Sequence, residues 1–169
     1  MTTTQGTTSQ TTPPDHAAQP APPPTSAPQT PAPQVWPTLR ANDARALIRF
    51  LVEAFGFEPT AVYGEQDRVD HAQLDWPEGG GVMLGSTGRG PDDPWPLQPG
   101  TFGGYVVTAD PDAVHERAVR AGADVVRGPN QTDHGSREFT VRDPEGNLWQ
   151  FGTYPGQPRR PASAGQPSA

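Results

Sequence analysis

The chain has 169 residues, no cysteine and a formal net charge of −7. Without thiols there are no disulfides, no thiolate metal sites and no cysteine nucleophile, and an acidic balance with no basic stripe argues against nucleic acid as a partner. No apolar run approaches the ~20 residues that span a bilayer, so the reading is a cytoplasmic protein with no membrane partner.

Residues 1–33 are almost entirely Thr, Pro, Gln, Ala and Ser, with no aromatic side chain. Such a segment has too little apolar surface to offset its ordering entropy. It is expected to be a disordered tail, polyproline-like around Pro20–Pro33, and it lacks the basic start and apolar core of a secretory signal. Residues 155–169 read as a second disordered tail, rich in Pro, Ala, Ser and Gly. The domain is therefore expected over 34–154.

Within it, Val35 to Arg40 is β-like. Asn42 or Asp43 offers a short oxygen to cap a helix. That helix runs to about Phe55, with Ala46, Leu47, Phe50, Leu51 and Ala54 as its apolar stripe and Gly56 as its stop. Strands are expected at about Thr60–Gly64, Val69–Trp76 and Gly81–Gly85, the last after a Pro77-Glu-Gly-Gly80 turn. A linker, 86–100, follows. Its length points to a functional loop, and Trp95, held between Pro94 and Pro96, either touches a ligand or packs over the module junction.

The second half repeats this order. Thr101–Thr108 is a strand, and Asp110 with Pro111 starts a helix that ends near Gly122. Ala123–Arg127 is the next strand. The closing stretch, Gly135 to Tyr154, alternates as a hairpin: Arg137, Phe139 and Val141, a turn at Asp143-Pro-Glu-Gly-Asn147, then Trp149 and Phe151. The offset between halves is nearly constant. Asp43 and Asp110 are 67 apart, as are Pro77-Glu78-Gly79 and Pro144-Glu145-Gly146. The chain thus reads as α+β, two βαβββ modules (about 34–85 and 101–154) forming a cupped mixed sheet.

The repeat assigns faces. Ala72 and Leu74 match Phe139 and Val141, and Val82 and Leu84 match Trp149 and Phe151; these pack on the helices. The opposite phase holds His71 with Glu138, Gln73 with Thr140, Met83 with Gln150, Trp36 with Gly103, and Thr38 with Tyr105, as the concave face. A slip of one residue would bury Glu138 and expose Trp149, so the register is firm. His134 is expected at the cavity mouth, and His115 on the helix surface.

Paired βαβββ modules that close with Asp143-Pro-Glu-Gly-Asn-Leu-Trp resemble the vicinal oxygen chelate superfamily, which holds glyoxalase I, bleomycin-resistance proteins and extradiol dioxygenases. The resemblance implies a divalent metal on the concave face, with one ligand from the first and last strand of each module. Those positions fall here on Trp36, Met83, Gly103 and Gln150, which are poor donors for a hard divalent ion. The expectation is therefore a protein without cofactor or catalytic residues. It would bind a small organic ligand, aromatic or cationic, as the bleomycin-resistance proteins sequester a drug, and would work as a homodimer. In that reading Trp36 and Tyr105 stack the ligand, and His71, Gln73, Glu138 and Gln150 fix its polar groups. The alternative is a glyoxalase-type metal-dependent lyase or dioxygenase with an atypical site built on His71, Glu138 and Gln150.

Overall fold

The computed structural model describes Met1 and residues 35–158, with Arg89 and Pro94 excepted. Residues 2–33 of the expected first tail, and the second tail from Arg159 onward, lie outside the described residues. The described residues from 35 to 158 fall in one compact unit.

Two four-stranded sheets are built from the two halves. The first has the order β1-β4-β3-β2 and the second β5-β8-β7-β6, each with one parallel pair at the β1 or β5 edge. The first module runs β1 (Thr38–Ala41), α1 (Ala44–Phe50), β2 (Glu58–Tyr63), β3 (His71–Asp75) and β4 (Gly81–Ser86). The second runs β5 (Gly103–Val107), α2 (Pro111–Arg120), β6 (Asp124–Gln131), β7 (Arg137–Arg142) and β8 (Leu148–Gly152). The two βαβββ modules of the sequence are therefore the two sheets of the molecule. No helix among the described residues is long and apolar enough to cross a membrane.

Element ends follow from local chemistry. Asp43 accepts the Ala46 N–H at 2.9 Å and Asp110 the Ala113 N–H at 3.0 Å, so both helices start at carboxylate caps. Helix α1 is shorter than the stripe suggests. After Phe50 the chain widens into one turn, Leu51–Phe55, in which the Gly56 N–H reaches the Leu51 carbonyl. The stripe runs through Ala44, Leu47, Leu51 and Ala54, so Ala44 is buried while Ala46 is only half-buried. Gly56 stops the turn at φ 89°, a conformation open to glycine. Strand β6 runs four residues past the expected Arg127. Its Gly128-Pro129 sits at a register shift between Arg127 and Asn130 on an outer strand, where a missing N–H costs no ladder bond. His115 is not a surface residue: it is half-buried, edge-on to Phe139 at 5.2 Å.

One core serves both sheets. Leu74, Val82 and Leu84 of the first share it with Phe139, Val141, Trp149 and Phe151 of the second. Rings cross the boundary: Phe55 lies 4.8 Å from Phe151, Phe57 5.6 Å from Trp149, and Trp76 5.8 Å from Phe151. Burying each such side chain stabilises the fold by about 1.5–3 kcal/mol.

The junction is also clamped by polar contacts that follow the repeat. Glu145, in the turn of module two, accepts the Asp43 N–H at 2.7 Å and the Asn42 side-chain amide at 3.0 Å. Glu78, its counterpart 67 residues earlier, accepts the Ala109 N–H at 3.0 Å. Each turn thus holds the start of the other module's helix. Arg117 of α2 donates to the Ala54 and Phe55 carbonyls, satisfying the end of the first helical segment.

Candidate functional site

Because the apolar faces of both sheets meet in one core, the alternate side chains turn away from it. The expected concave set therefore lies on two surfaces, one per module.

On module one, His71 pairs with Tyr63 across β3 and β2, and the rings stack 6.2 Å apart at 16°. Gln73 lies beside Met83, and Met83 beside Thr38. Trp36 precedes β1 and covers Gly81; a Cβ there would come 2.7 Å from the Trp36 ring. Gln73 donates to Asp75 at 2.9 Å. Arg40 shares this face, yet it is 8 % exposed. Its guanidinium lies over Gly85, 3.6 Å from Asp93, and donates to the Trp95 carbonyl at 3.4 Å. The linker is therefore fastened beside this face, with the Trp95 side chain half in solvent.

Module two carries a denser network. Tyr105, Gln150 and Thr140 stand side by side across β5, β8 and β7. With Gly103 they line a shallow recess of about 300 Å³. Glu138 is 7 % exposed. Its Oε2 accepts the Gln150 amide at 2.6 Å, and its Oε1 accepts the Tyr105 hydroxyl at 3.3 Å. His134 Nε2 stands 3.8 Å from Oε1, exposed and edge-on to Tyr154. Ser136 lies behind, 3.4 Å from the Tyr105 oxygen, which also accepts the Tyr154 N–H at 3.1 Å. This arrangement depends on Gly152: a Cβ there would collide with the Tyr105 hydroxyl and sit 2.8 Å from Glu138 Cγ.

The structure thus gathers Gly103, Tyr105, His134, Glu138, Thr140 and Gln150 on one surface, and Trp36, Thr38, His71, Gln73 and Met83 on the other. It does not bring His71 to Glu138 within one chain. Sequence reasoning missed Arg40, Tyr63, Ser136 and Tyr154. Tyr63 was legible from strand alternation with its partner His71; Arg40 was not, because its partners come from the linker.

The metal implied by the fold does not fit these residues. Trp36 and Gly103 bring no donor atom, Met83 brings a soft thioether, and Gln150, whose NH₂ donates to Glu138, brings only a neutral amide oxygen. Among the described residues no three His, Asp or Glu side chains are grouped as a metal would need.

Comparison with known proteins agrees with this architecture. TioX from Micromonospora sp. ML1 superposes with a TM-score of 0.58 at 28 % identity, over 70 % of this chain and 97 % of that one. TnmS3, described as an antibiotic binding protein from Streptomyces sp. CB03234, gives 0.52 at 25 % identity, over 72 % of this chain and 97 % of that one. An uncharacterized protein of Mycobacterium bovis is 34 % identical over 126 residues, 71 % of this chain and 82 % of its own length. Residues 34–151 match the family model of the Glyoxalase/Bleomycin resistance protein/Dioxygenase superfamily. Paired modules, closing turn and matched span together make the chain a member of that superfamily.

Proposed function

We propose that the chain binds a small organic ligand with a positive charge on an aromatic body, and that its use is antibiotic sequestration. The observation that carries this reading is Glu138. A carboxylate that is 7 % exposed, with only neutral donors and one exposed histidine around it, is an expensive group to bury. A cationic guest would offset that cost, and Tyr105 and Tyr154 stand beside it as ring surfaces.

The receptor is completed by a second copy. Trp36, Met83 and the stacked Tyr63–His71 pair add a second flat, polarisable surface to the Tyr105 and Tyr154 rings of module two, and they lie on the other module's outward face. Setting module one of one chain over module two of the other closes the ligand between ring surfaces and the Glu138 carboxylate. No metal takes part, in keeping with the donor set. The antibiotic-binding description of TnmS3 supports the ligand class.

The test is calorimetric titration with a cationic glycopeptide antibiotic of the bleomycin type and a panel of aromatic antibiotics, alongside sedimentation. Saturable binding by a cationic member, weakened about tenfold or more by Glu138→Gln, is expected of a charge-assisted contact. Absence of binding across the panel, or a Glu138→Gln variant that binds as wild type, would overturn the proposal.

A further inference from the structure

A cleft of about 350 Å³ opens between the modules beside β5, and Tyr105, which also belongs to the polar face of module two, lines it. That volume lies within the range of small-molecule sites, about 300–1,000 Å³. We propose that it is a second ligand site, for a small organic cation of the trimethylammonium type.

The walls point to that chemistry. Phe57, Trp76, Phe102 and Trp149 line the cleft. The Trp76 N–H is committed to the Val107 carbonyl at 2.9 Å and the Trp149 N–H to Asp143 at 2.9 Å. The indoles therefore have only ring carbon left to offer. The facing wall is Gly79-Gly80-Gly81, which brings no side chain at all. Gly79 and Gly80 have φ of 116° and 81°, so glycine is needed for the turn, and the bare wall follows from it. Gly104 serves a different end. A Cβ there would lie 3.0 Å from the Phe102 ring and 3.7 Å from Trp149, so its absence makes room for the Phe102 ring beside an indole that is 1 % exposed.

Among the described residues Glu78 is the one charged residue lining the cleft. Its Oε2 accepts the Ala109 N–H at 3.0 Å, which fixes the exposed carboxylate at the cleft. Aromatic rings with a single carboxylate and no lysine or arginine favour a cation whose positive charge is spread over an alkyl surface. An anion would meet only negative charge. A hard metal ion would find one carboxylate and the Tyr105 phenol, too few oxygen side chains to complete its shell.

The experiment follows the indole N–H resonances of the ¹⁵N-labelled full chain during titration with choline and with its neutral carbon isostere, 3,3-dimethylbutan-1-ol. Saturable shifts of Trp76 and Trp149 with choline are expected, and about three- to tenfold weaker binding of the neutral isostere, as cation–π contacts in a half-open site require. Glu78→Gln keeps the acceptor for Ala109 and should weaken choline similarly. Gly104→Ala, which sets a methyl against Trp149, should weaken both probes. The proposal is overturned by the absence of saturation with choline or by equal binding of the isostere. Indole shifts that follow protein concentration alone would overturn it too, by giving the cleft to a second copy.

Discussion

Asp143→Asn is the substitution that tests the closing motif most sharply, because it changes one charge and no volume. Asp143 is 4 % exposed and faces four donors. Its Oδ1 accepts the Glu145 and Asn147 N–H groups, both at 2.9 Å. Its Oδ2 accepts the Asn147 side-chain amide at 2.8 Å and the Trp149 indole at 2.9 Å. An asparagine can keep the first pair, but its NH₂ would then confront the second pair, donor against donor. Asn147 cannot turn to relieve the conflict, because its own oxygen holds the Phe102 N–H at 3.1 Å. Two lost bonds to a charged acceptor cost about 1.5–3 kcal/mol each, hence about 3–6 kcal/mol together. A domain of this size has about 5–15 kcal/mol in all, so the variant should stand close to unfolding. Urea melts followed by tryptophan fluorescence measure the loss. Trp149→Phe keeps a buried ring but drops the indole bond and leaves a cavity in the core, so it carries a cost of its own. Combined with Asp143→Asn it should cost less than the sum, since one of the two conflicts is then gone. A midpoint for Asp143→Asn within about 1 kcal/mol of wild type would refute the hydrogen-bond account of this turn.

Gly152→Ala should displace Tyr105 from Glu138 and destabilise by about 1–3 kcal/mol as an overpacked contact. Adding Tyr105→Phe, which removes the colliding oxygen, should restore part of the melting temperature; no restoration would mean the clash lies elsewhere. The hydrogen bond from Arg137 holds the Asp112 carboxyl below its ordinary range, and the charges of Arg137 and His115 act in the same direction. A carboxyl lowered in the folded state adds stability above its unfolded value and loses it as pH falls through the folded one. The small stability gap between wild type and Asp112→Asn should therefore be present at neutral pH and vanish in acid below the carboxylate range; a gap that persists there would contradict the pairing. Elemental analysis after chelator-free purification should find no stoichiometric Zn, Ni, Fe or Mn, and a bound metal lost in His71→Ala or Glu138→Ala would reverse the reading of the donor positions.

The scaffold was readable because its signals are local and doubled. Cap residues Asp43 and Asp110, the stop at Gly56 and the buried alternation of Phe139, Val141, Trp149 and Phe151 each depend on neighbours within a few positions, and the 67-residue offset checked one half against the other. The faces were legible for the same reason. Their meeting was not. Whether two sheets share a cavity or a core depends on long-range ring contacts such as Phe55–Phe151 and Trp76–Phe151, which no period in the sequence encodes. Glu145 shows the same limit on a smaller scale. In sequence it is one letter of a turn, whereas in the fold its carboxylate spans to Asn42 and Asp43, more than a hundred positions away.

The repeat preserved its joints and diverged on its faces, and that pattern bears on how many ligands a dimer holds. Glu78 and Glu145 do the same work at equivalent positions, and Gly85 and Gly152 each make room for a long side chain from the edge strand, Arg40 in one module and Tyr105 in the other. On the faces, Trp36 stands against Gly103, His71 against Glu138 and Met83 against Gln150. A two-fold dimer that joins unlike modules makes two identical receptors, each with ring surfaces from one chain and Glu138 from the other. A dimer that joins like modules makes two different surfaces, only one of which contains Glu138. It would hold two carboxylates facing each other across the axis. Calorimetric stoichiometry separates the two. One ligand per chain, with a single affinity and a single loss in Glu138→Gln, is the outcome expected of unlike pairing. One ligand per two chains would place both carboxylates around one guest and refute it.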